Sequence, residues 1–333
     1  MIRQFKLKLV IFIVNFMKYI DPYGYVASLQ LDYVYKSELK FMHFVSVRSI
    51  INNCTFQNQN QRSDIDLIDF KMSTENINSK IISIFINSDS IDSFAKKDLY
   101  SFKFKFIVFI GNSDFRFGNE VLHRPSMKIL LQHPSILKLY IQNLGFKHEK
   151  VSFMPIGMDY HTLWEKPKKN GFFFRISPLL HEARLKGIIS ESNTLNARVN
   201  LIYCNWHFKL NRGDRLECFQ QVDKHLCYFE KNQVDRFENY LQISKYRYVL
   251  CPAGLGWDSY RIWETFAIGS IPILKKSEFS ENLIFLPCII VDNWSDISLD
   301  LLENEFKRIL QSKFDNSIIL NSFWKKKVLS SNN

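Results

Sequence analysis

No two of the six cysteines are spaced as CxxC, and their irregular spacing favours neither a zinc knuckle nor a disulfide framework. Cys204, Cys251 and Cys288 lie in or beside apolar runs and read as ordinary buried thiols. Glycine is scarce, 11 residues against 30 phenylalanines, a compositional drift towards Phe, Ile, Lys and Asn. No apolar run reaches the ~20 residues of a membrane-spanning helix. The run Leu9–Val14, extended to Met17 and preceded by Arg3, Lys6 and Lys8, comes nearest. No small-residue cleavage site follows it. It is expected to be a buried first strand of a parallel sheet, with a signal anchor as the alternative. Also missing are a helix-turn-helix signature, a zinc finger and an RNP-like aromatic string, so nucleic acid is not an expected partner.

What remains is an ordinary globular composition: 333 residues, 46% hydrophobic and 23% charged. That excludes wholesale disorder and collagen-like repetition, and it suggests two domains. The 44 basic and 33 acidic residues leave a net charge of +11. Such a surface favours an anionic partner, either a phosphorylated small molecule or an acidic membrane face.

Short apolar runs alternate with helical patterns. Strands are expected at Val10–Val14, Ile81–Ile86, Phe104–Ile110, Val151–Met154, Val199–Tyr203, Tyr248–Cys251, Ile271–Leu274 and Ile289–Val291. Helices are expected within Met127–Leu144, Asp214–Phe229, Val234–Ser244 and Ser259–Ile268. This alternation predicts βαβ units, hence an α/β fold with doubly wound parallel sheets. A charged Pro/Gly break at Glu165–Gly171 divides the chain. It leaves Rossmann-like domains at 1–165 and 172–312, and a basic helix or tail at 313–333. Residues 52–80 are polar and Asn-rich and read as a loop or insertion.

The stretch Tyr248–Leu274 parses as strand, Pro/Gly loop, helix, Gly stop, strand. Gly254 and Gly256 are expected to let backbone approach a ligand, and Asp258 or Ser259 to cap the helix. The helix start offers free N–H groups to an anion such as a diphosphate. Arg261 and Glu264 are three apart and share a face. Arg261 can reach a phosphate and Glu264 a ribose diol. Alone, such glycines can simply make a turn and such a pair a surface ion pair; six of these residues within eleven positions strengthen the site reading.

The string Asp258-Ser-Tyr-Arg-Ile-Trp-Glu264, followed by Ala267-Ile-Gly-Ser-Ile-Pro-Ile273, resembles the C-terminal signature of exostosin-like glycosyltransferases. Pro252, Gly254, Ser259, Arg261, Trp263, Glu264, Gly269 and Pro272 fill the places of that pattern. Weaker echoes are Gly111-Asn-Ser-Asp114, Gln142-Asn143 and Met154–Asp159. The resemblance implies a GT-B architecture, two Rossmann-like domains facing a cleft, with a nucleotide sugar held by the second. It implies an inverting hexosyl- or pentosyltransferase that needs no metal and no cofactor beyond its donor substrate. Glu264 would meet the ribose, with Ser259 and Arg261 facing the diphosphate. The departures are Trp257 and Asp258, where many members carry other residues.

Arg215 follows the strand Val199–Tyr203 and is a second phosphate candidate, ahead of Lys209 and Arg212. Asp114 follows Phe104–Ile110, at the sheet edge where α/β proteins gather their sites. It is the candidate base for the acceptor hydroxyl, or else an Asx-turn residue. Asp159 is a minor candidate, and His123, His133 and His148 read as surface or core histidines. Asp64-Ile-Asp66, with Asp69 nearby, is a DxD string of little weight. The expected activity is transfer of a sugar from a nucleotide donor to a glycan, free or lipid-linked. The alternative is a non-catalytic nucleotide- or phosphate-binding module. The expected location is cytoplasmic, with peripheral membrane contact as the variant.

Overall fold

The computed structural model describes residues 25–57, 81–96, 103–168 and 171–329. The expected strand Val10–Val14, the alternative anchor Leu9–Met17 and the DxD string Asp64–Asp66 lie outside the described residues.

Two parallel five-stranded sheets organise the chain. The first orders β1 (Phe56–Gln57), β2 (Ile81–Asn87), β3 (Lys105–Gly111), β4 (Ile136–Ile141) and β5 (Val151–Phe153) side by side in chain order. The second runs β10 (Ile289–Val291), β9 (Ile271–Lys275), β8 (Tyr246–Leu250), β6 (Val199–Cys204), β7 (Cys227–Phe229). Strand order therefore reverses between β6 and β8, the place where an open α/β sheet leaves a crevice at its carboxyl edge. The architecture is the expected α/β one: two Rossmann-like domains, each built on a parallel five-stranded sheet.

Two expectations are corrected. The helix foreseen across Met127–Leu144 is only α4 (Pro125–Gln132), counting α1 (Tyr25–Leu39), α2 (Val47–Asn53) and α3 (Ile91–Ala95) before it, and Ile136–Ile141 is a strand. His133 sits extended ahead of Pro134, which excludes a continuing helix. Likewise the Asp214–Phe229 pattern is a short helix, Arg215–Gln221, followed by strand β7.

The second sheet buries both faces, because successive side chains alternate. Tyr203, Val249 and Cys251 join one apolar cluster, while Ile202, Tyr248 and Leu250 join the other. The first of these clusters also holds the core of the first domain, so one continuous core passes between the domains. At its centre Trp263 stacks on Phe153 with centroids 6.0 Å apart. Burying each such ring contributes about 1.5–3 kcal/mol.

The chain ends back on the first domain. The helix Asn321–Leu329 buries Trp324 edge-on against Tyr140 at 5.7 Å. Asn321 N donates to His43 O at 2.8 Å, and Val45 N to Ile319 O at 2.9 Å. Among the described residues no helix is long and apolar enough to cross a membrane.

Candidate functional site

The loop after β8 and the helix Tyr260–Ile268 lie at the strand-order reversal. Ser259 is the N-cap residue; its hydroxyl makes no capping bond, and its Oγ is buried without a partner. Asp258 reaches into the other domain instead. Its Oδ2 accepts from Ile156 N and its Oδ1 from Trp263 Nε1, both at 2.6 Å. Its own N–H donates to Asn143 Oδ1 at 2.6 Å. Burial pushes the carboxyl up to about 7 against these two bonds. Both oxygens are thus engaged within the protein, as a clasp between domains.

The two glycines differ. A Cβ on Gly256 would lie 2.9 Å from Asn143 Nδ2 and Oδ1, so a protein side chain fills that space. A Cβ on Gly254 would meet nothing nearer than Arg215 Nη2 at 3.9 Å, which leaves its surface open. Arg116 of the first domain pins this loop from the other side. Its Nη2 donates to Gly254 O at 3.1 Å and its Nε to Leu255 O at 3.0 Å, with the guanidinium 5.3 Å over Trp257.

Arg215 and Arg261 come together beside Gly254. The approach depends on Gly213, whose φ is +53° and whose Cβ would lie 2.4 Å from Ala253 O and Gly254 O. Any side chain there would drive the two loops apart. Arg261 Nε donates to Asn205 Oδ1 at 3.2 Å. Arg215 Nη1 reaches Lys209 O at 3.5 Å, and its Nε is buried without a partner. Burial, followed by the positive charges of Arg261 and Arg212, lowers the Arg215 pKa to about 10, with Asp214 opposing. Neither Arg215 nor Arg261 forms an ion pair among the described residues. Clustered cations that no carboxylate holds in an ion pair can receive an anion.

Glu264 is 4% exposed. Its Oε1 accepts from Arg236 Nη1 at 2.5 Å and from Tyr240 OH at 3.0 Å. Its Oε2 makes no hydrogen bond among the described residues. Arg236 also donates through Nη2 to Asp159 Oδ2 at 2.6 Å. Thr162 N and His161 Nδ1 each stand 2.9 Å from Asp159 Oδ1. Burial opposes ionisation of Asp159, but Arg236 and then His161 overcome it and hold the carboxyl well below its usual range. Burial pushes His181 down to about 3, so its ring is neutral. Its Nε2 lies 3.0 Å from the Tyr240 hydroxyl, and its buried Nδ1 has no partner, which fits a proton on Nε2.

Sequence reasoning missed Arg236 and Tyr240 altogether. The signal available was Asp235, which caps the helix Arg236–Ile243 by accepting from Phe237 N and Glu238 N, so that residues at i and i+4 share one face. Asp114 is exposed at the carboxyl end of β3, two residues before Arg116, and its carboxylate has no partner among the described residues. His123 is exposed, whereas His133 and His148 accept through Nδ1 from Ser135 N and Lys150 N in local turns. A cavity of ≈ 560 Å³ separates Arg116 and Trp257 from Asp214, Glu217 and Lys275. Among the described residues no group of three His, Cys, Asp or Glu could hold a metal ion.

No protein-family model matches the chain, and no curated protein matches it. Solved structures resemble it in part. The OtsA apo structure is 12% identical, covering 80% of this chain and 76% of its own, with a TM-score of 0.42. An α,α-trehalose 6-phosphate synthase from Burkholderia multivorans is 9% identical, covering 89% and 79%, with a TM-score of 0.40. An α,α-trehalose-phosphate synthase (UDP-forming) from Burkholderia xenovorans, in complex with glucose-6-phosphate, is 10% identical over 90% and 81%, with a TM-score of 0.38.

Proposed function

We propose that this chain is a glycosyltransferase that moves a sugar from a nucleotide donor to a hydroxyl of a glycan, free or lipid-linked. The observation that carries the reading is the pair Arg215 and Arg261, close enough for Arg261 to lower the Arg215 pKa, neither in an ion pair among the described residues, with Arg215 beside the open face of Gly254. Two guanidiniums at a strand-order reversal suit the diphosphate of a nucleotide sugar. Glu264, held through Oε1, turns Oε2 to the ribose diol. The resemblance to the exostosin-like signature supports the same roles.

In this reading the acceptor oxygen attacks the anomeric carbon while Asp114 takes its proton. The bond from that carbon to the diphosphate oxygen breaks, and the nucleoside diphosphate leaves. Attack opposite the leaving group inverts the anomeric centre. Arg215 and Arg261 carry the charge that develops on the diphosphate, so the protein supplies the electrostatic stabilisation itself. The cleft between the domains shields the reaction from water.

The test is thermal stabilisation by a panel of nucleoside diphosphates and nucleotide sugars. A ligand at 100 times its Kd adds about 2.7 kcal/mol to stability. One nucleotide class should raise the melting temperature of the wild type and fail to raise that of Arg215→Ala or Arg261→Ala. Indifference of the wild type to every nucleotide would sink the reading. A second reading, nucleotide binding without turnover, draws on the fact that no hydrogen bond or ion pair among the described residues orients the Asp114 carboxylate. It predicts the same stabilisation with no sugar transferred to any acceptor.

A further inference from the structure

Glu264 Oε1 receives two donors from one turn of one helix, Arg236 Nη1 and the Tyr240 hydroxyl, the latter at 3.0 Å. Arg236 and Tyr240 stand four apart on Arg236–Ile243 and share a face. Arg236 answers the charge of Glu264 and of Asp159. Tyr240 brings no charge. It is fully buried, with Glu264 on one side of its hydroxyl and His181 on the other. The proposed reaction as written uses neither Tyr240 nor His181.

The chemistry of the hydroxyl fixes the direction of both bonds. Burial holds it protonated, its pKa well above the ordinary value. A tyrosine O–H donates once, and the Glu264 carboxylate, paired with Arg236, only accepts. The Tyr240 proton therefore goes to Glu264 Oε1, and the Tyr240 oxygen is left to accept from His181 Nε2, 3.0 Å away. Burial keeps His181 neutral, with a single N–H. Its buried Nδ1 has no partner, so that N–H is on Nε2 and faces Tyr240. The imidazole is itself held in place. It stacks on Tyr240 at 5.7 Å and meets Phe237 and Tyr160 edge-on, each at 5.3 Å. His181 lies in the first turn of Pro178–Glu191, where its backbone N–H donates to Ser177 O at 2.8 Å.

The consequence lies at the other carboxylate oxygen. A carboxylate is planar, so two donors fixing Oε1 from different directions also fix where Oε2 points. With Arg236 alone, the group would turn about a single contact. We propose that Tyr240 and His181 are positioning residues for nucleotide selectivity. Donation from His181 to Tyr240 and from Tyr240 to Glu264 aims Oε2 at the 2′- and 3′-hydroxyls of a ribonucleotide. This rests on the reading of Glu264 as the ribose group, and the experiment separates the two.

Affinities of the full chain are measured for the diphosphates of uridine, cytidine, adenosine and guanosine, each beside its 2′,3′-dideoxy form. For the base that binds, the wild type should prefer the ribose form by at least about tenfold. Tyr240→Phe keeps the ring and removes the hydroxyl. Its preference should shrink to within about threefold, with dideoxy affinity, which rests on Arg215 and Arg261, within about twofold of wild type. His181→Leu should reduce the preference in the same direction. His181→Gln, whose amide can donate from the place of Nε2, should restore it. Should Tyr240→Phe fail to fold, the two His181 variants carry the same comparison. A wild type that binds no nucleotide overturns the transferase reading and this proposal with it. A wild type that binds ribose and dideoxy forms alike takes Glu264 off the ribose and overturns the proposal, leaving Arg215 and Arg261 as an anion site. A preference unchanged in Tyr240→Phe, whether or not both affinities fall together, means a merely structural hydroxyl and overturns the proposal while leaving Glu264 on the ribose.

Discussion

Arg236 Nη2 stands 2.6 Å from Asp159 Oδ2, a bond from the second domain to the first. The same guanidinium holds Glu264 through Nη1. The carboxylate proposed to meet the ribose therefore shares its cation with a group on the opposite wall. In the proposed reading, donor binding and contact between the domains act on one buried triad.

Removing the cation tests this. Arg236→Ala leaves Asp159 and Glu264, 3% and 4% exposed, buried without their counter-charge. The expected loss is about 3–5 kcal/mol of unfolding free energy. Urea unfolding at neutral pH measures it. A loss under about 1 kcal/mol would mean that the triad is not closed in solution. Asp159 is depressed below its ordinary value of 3.8. Its contribution is therefore full above that value and is lost as pH falls through the lower folded pKa.

Asp258 predicts the opposite dependence. Its folded pKa of about 7 lies above the ordinary 3.8, so the folded state holds a proton that the unfolded chain has released. Stability from this group is full below 3.8 and declines as pH rises through about 7. Between about pH 5 and pH 7, wild-type stability should fall on the order of 2 kcal/mol relative to Asp258→Asn. Urea midpoints for both proteins across that range measure it. Parallel curves would show that the clasp is ionised throughout.

The two loop glycines should separate stability from binding. Gly256→Ala forces a methyl against Asn143, whose Oδ1 and Nδ2 are held by Asp258 N and Ser113 O. The cost should be about 1–3 kcal/mol. Gly254→Ala meets no such wall and should stay within about 0.5 kcal/mol of wild type. Its methyl sits in the space beside Arg215, so nucleotide affinity should fall while the melting temperature holds. The reverse pattern would put the ligand at Gly256.

Asp114→Asn keeps the shape of the side chain and removes the base. Turnover should fall about 10²–10⁴-fold, with donor affinity intact. Single-turnover rates beside a binding titration separate the two. Unchanged turnover would remove Asp114 from the base role and leave the donor site standing.

Much of this frame is legible in the sequence. The run Ile289–Val291 is β-branched and bounded by Cys288 and Asp292, and it is a strand with those limits. The run Ile136–Ile141 is not legible in the same way. Apolar residues at Met127, Leu130, Leu131, Leu139 and Leu144 continue a helical spacing straight through it. Only His133-Pro134 marks the break, and tertiary pairing with β3 decides the rest. The site divides along the same line. Arg215, Gly254 and Arg261 all lie in the loop–helix segments that follow strands Val199–Cys204 and Tyr246–Leu250, so chain order brings them towards one sheet edge. Asp159 and Arg236 are 77 residues apart, and no local pattern announces a partner at that separation. Asp258 looks like a helix cap in one dimension. In three, its carboxylate faces Ile156 of the other domain.

The return of the last helix to the first domain makes the molecule doubly tethered. The chain crosses once through the turn at 166–177 and again between Gln311 and Asn321, where Asn321 is fastened to His43 and Met42. A single proteolytic nick in the turn should therefore leave two fragments held together without a covalent link, the second still seating its last helix on the first domain. A single linker would leave the halves free to twist against one another, and the second crossing restrains that twist.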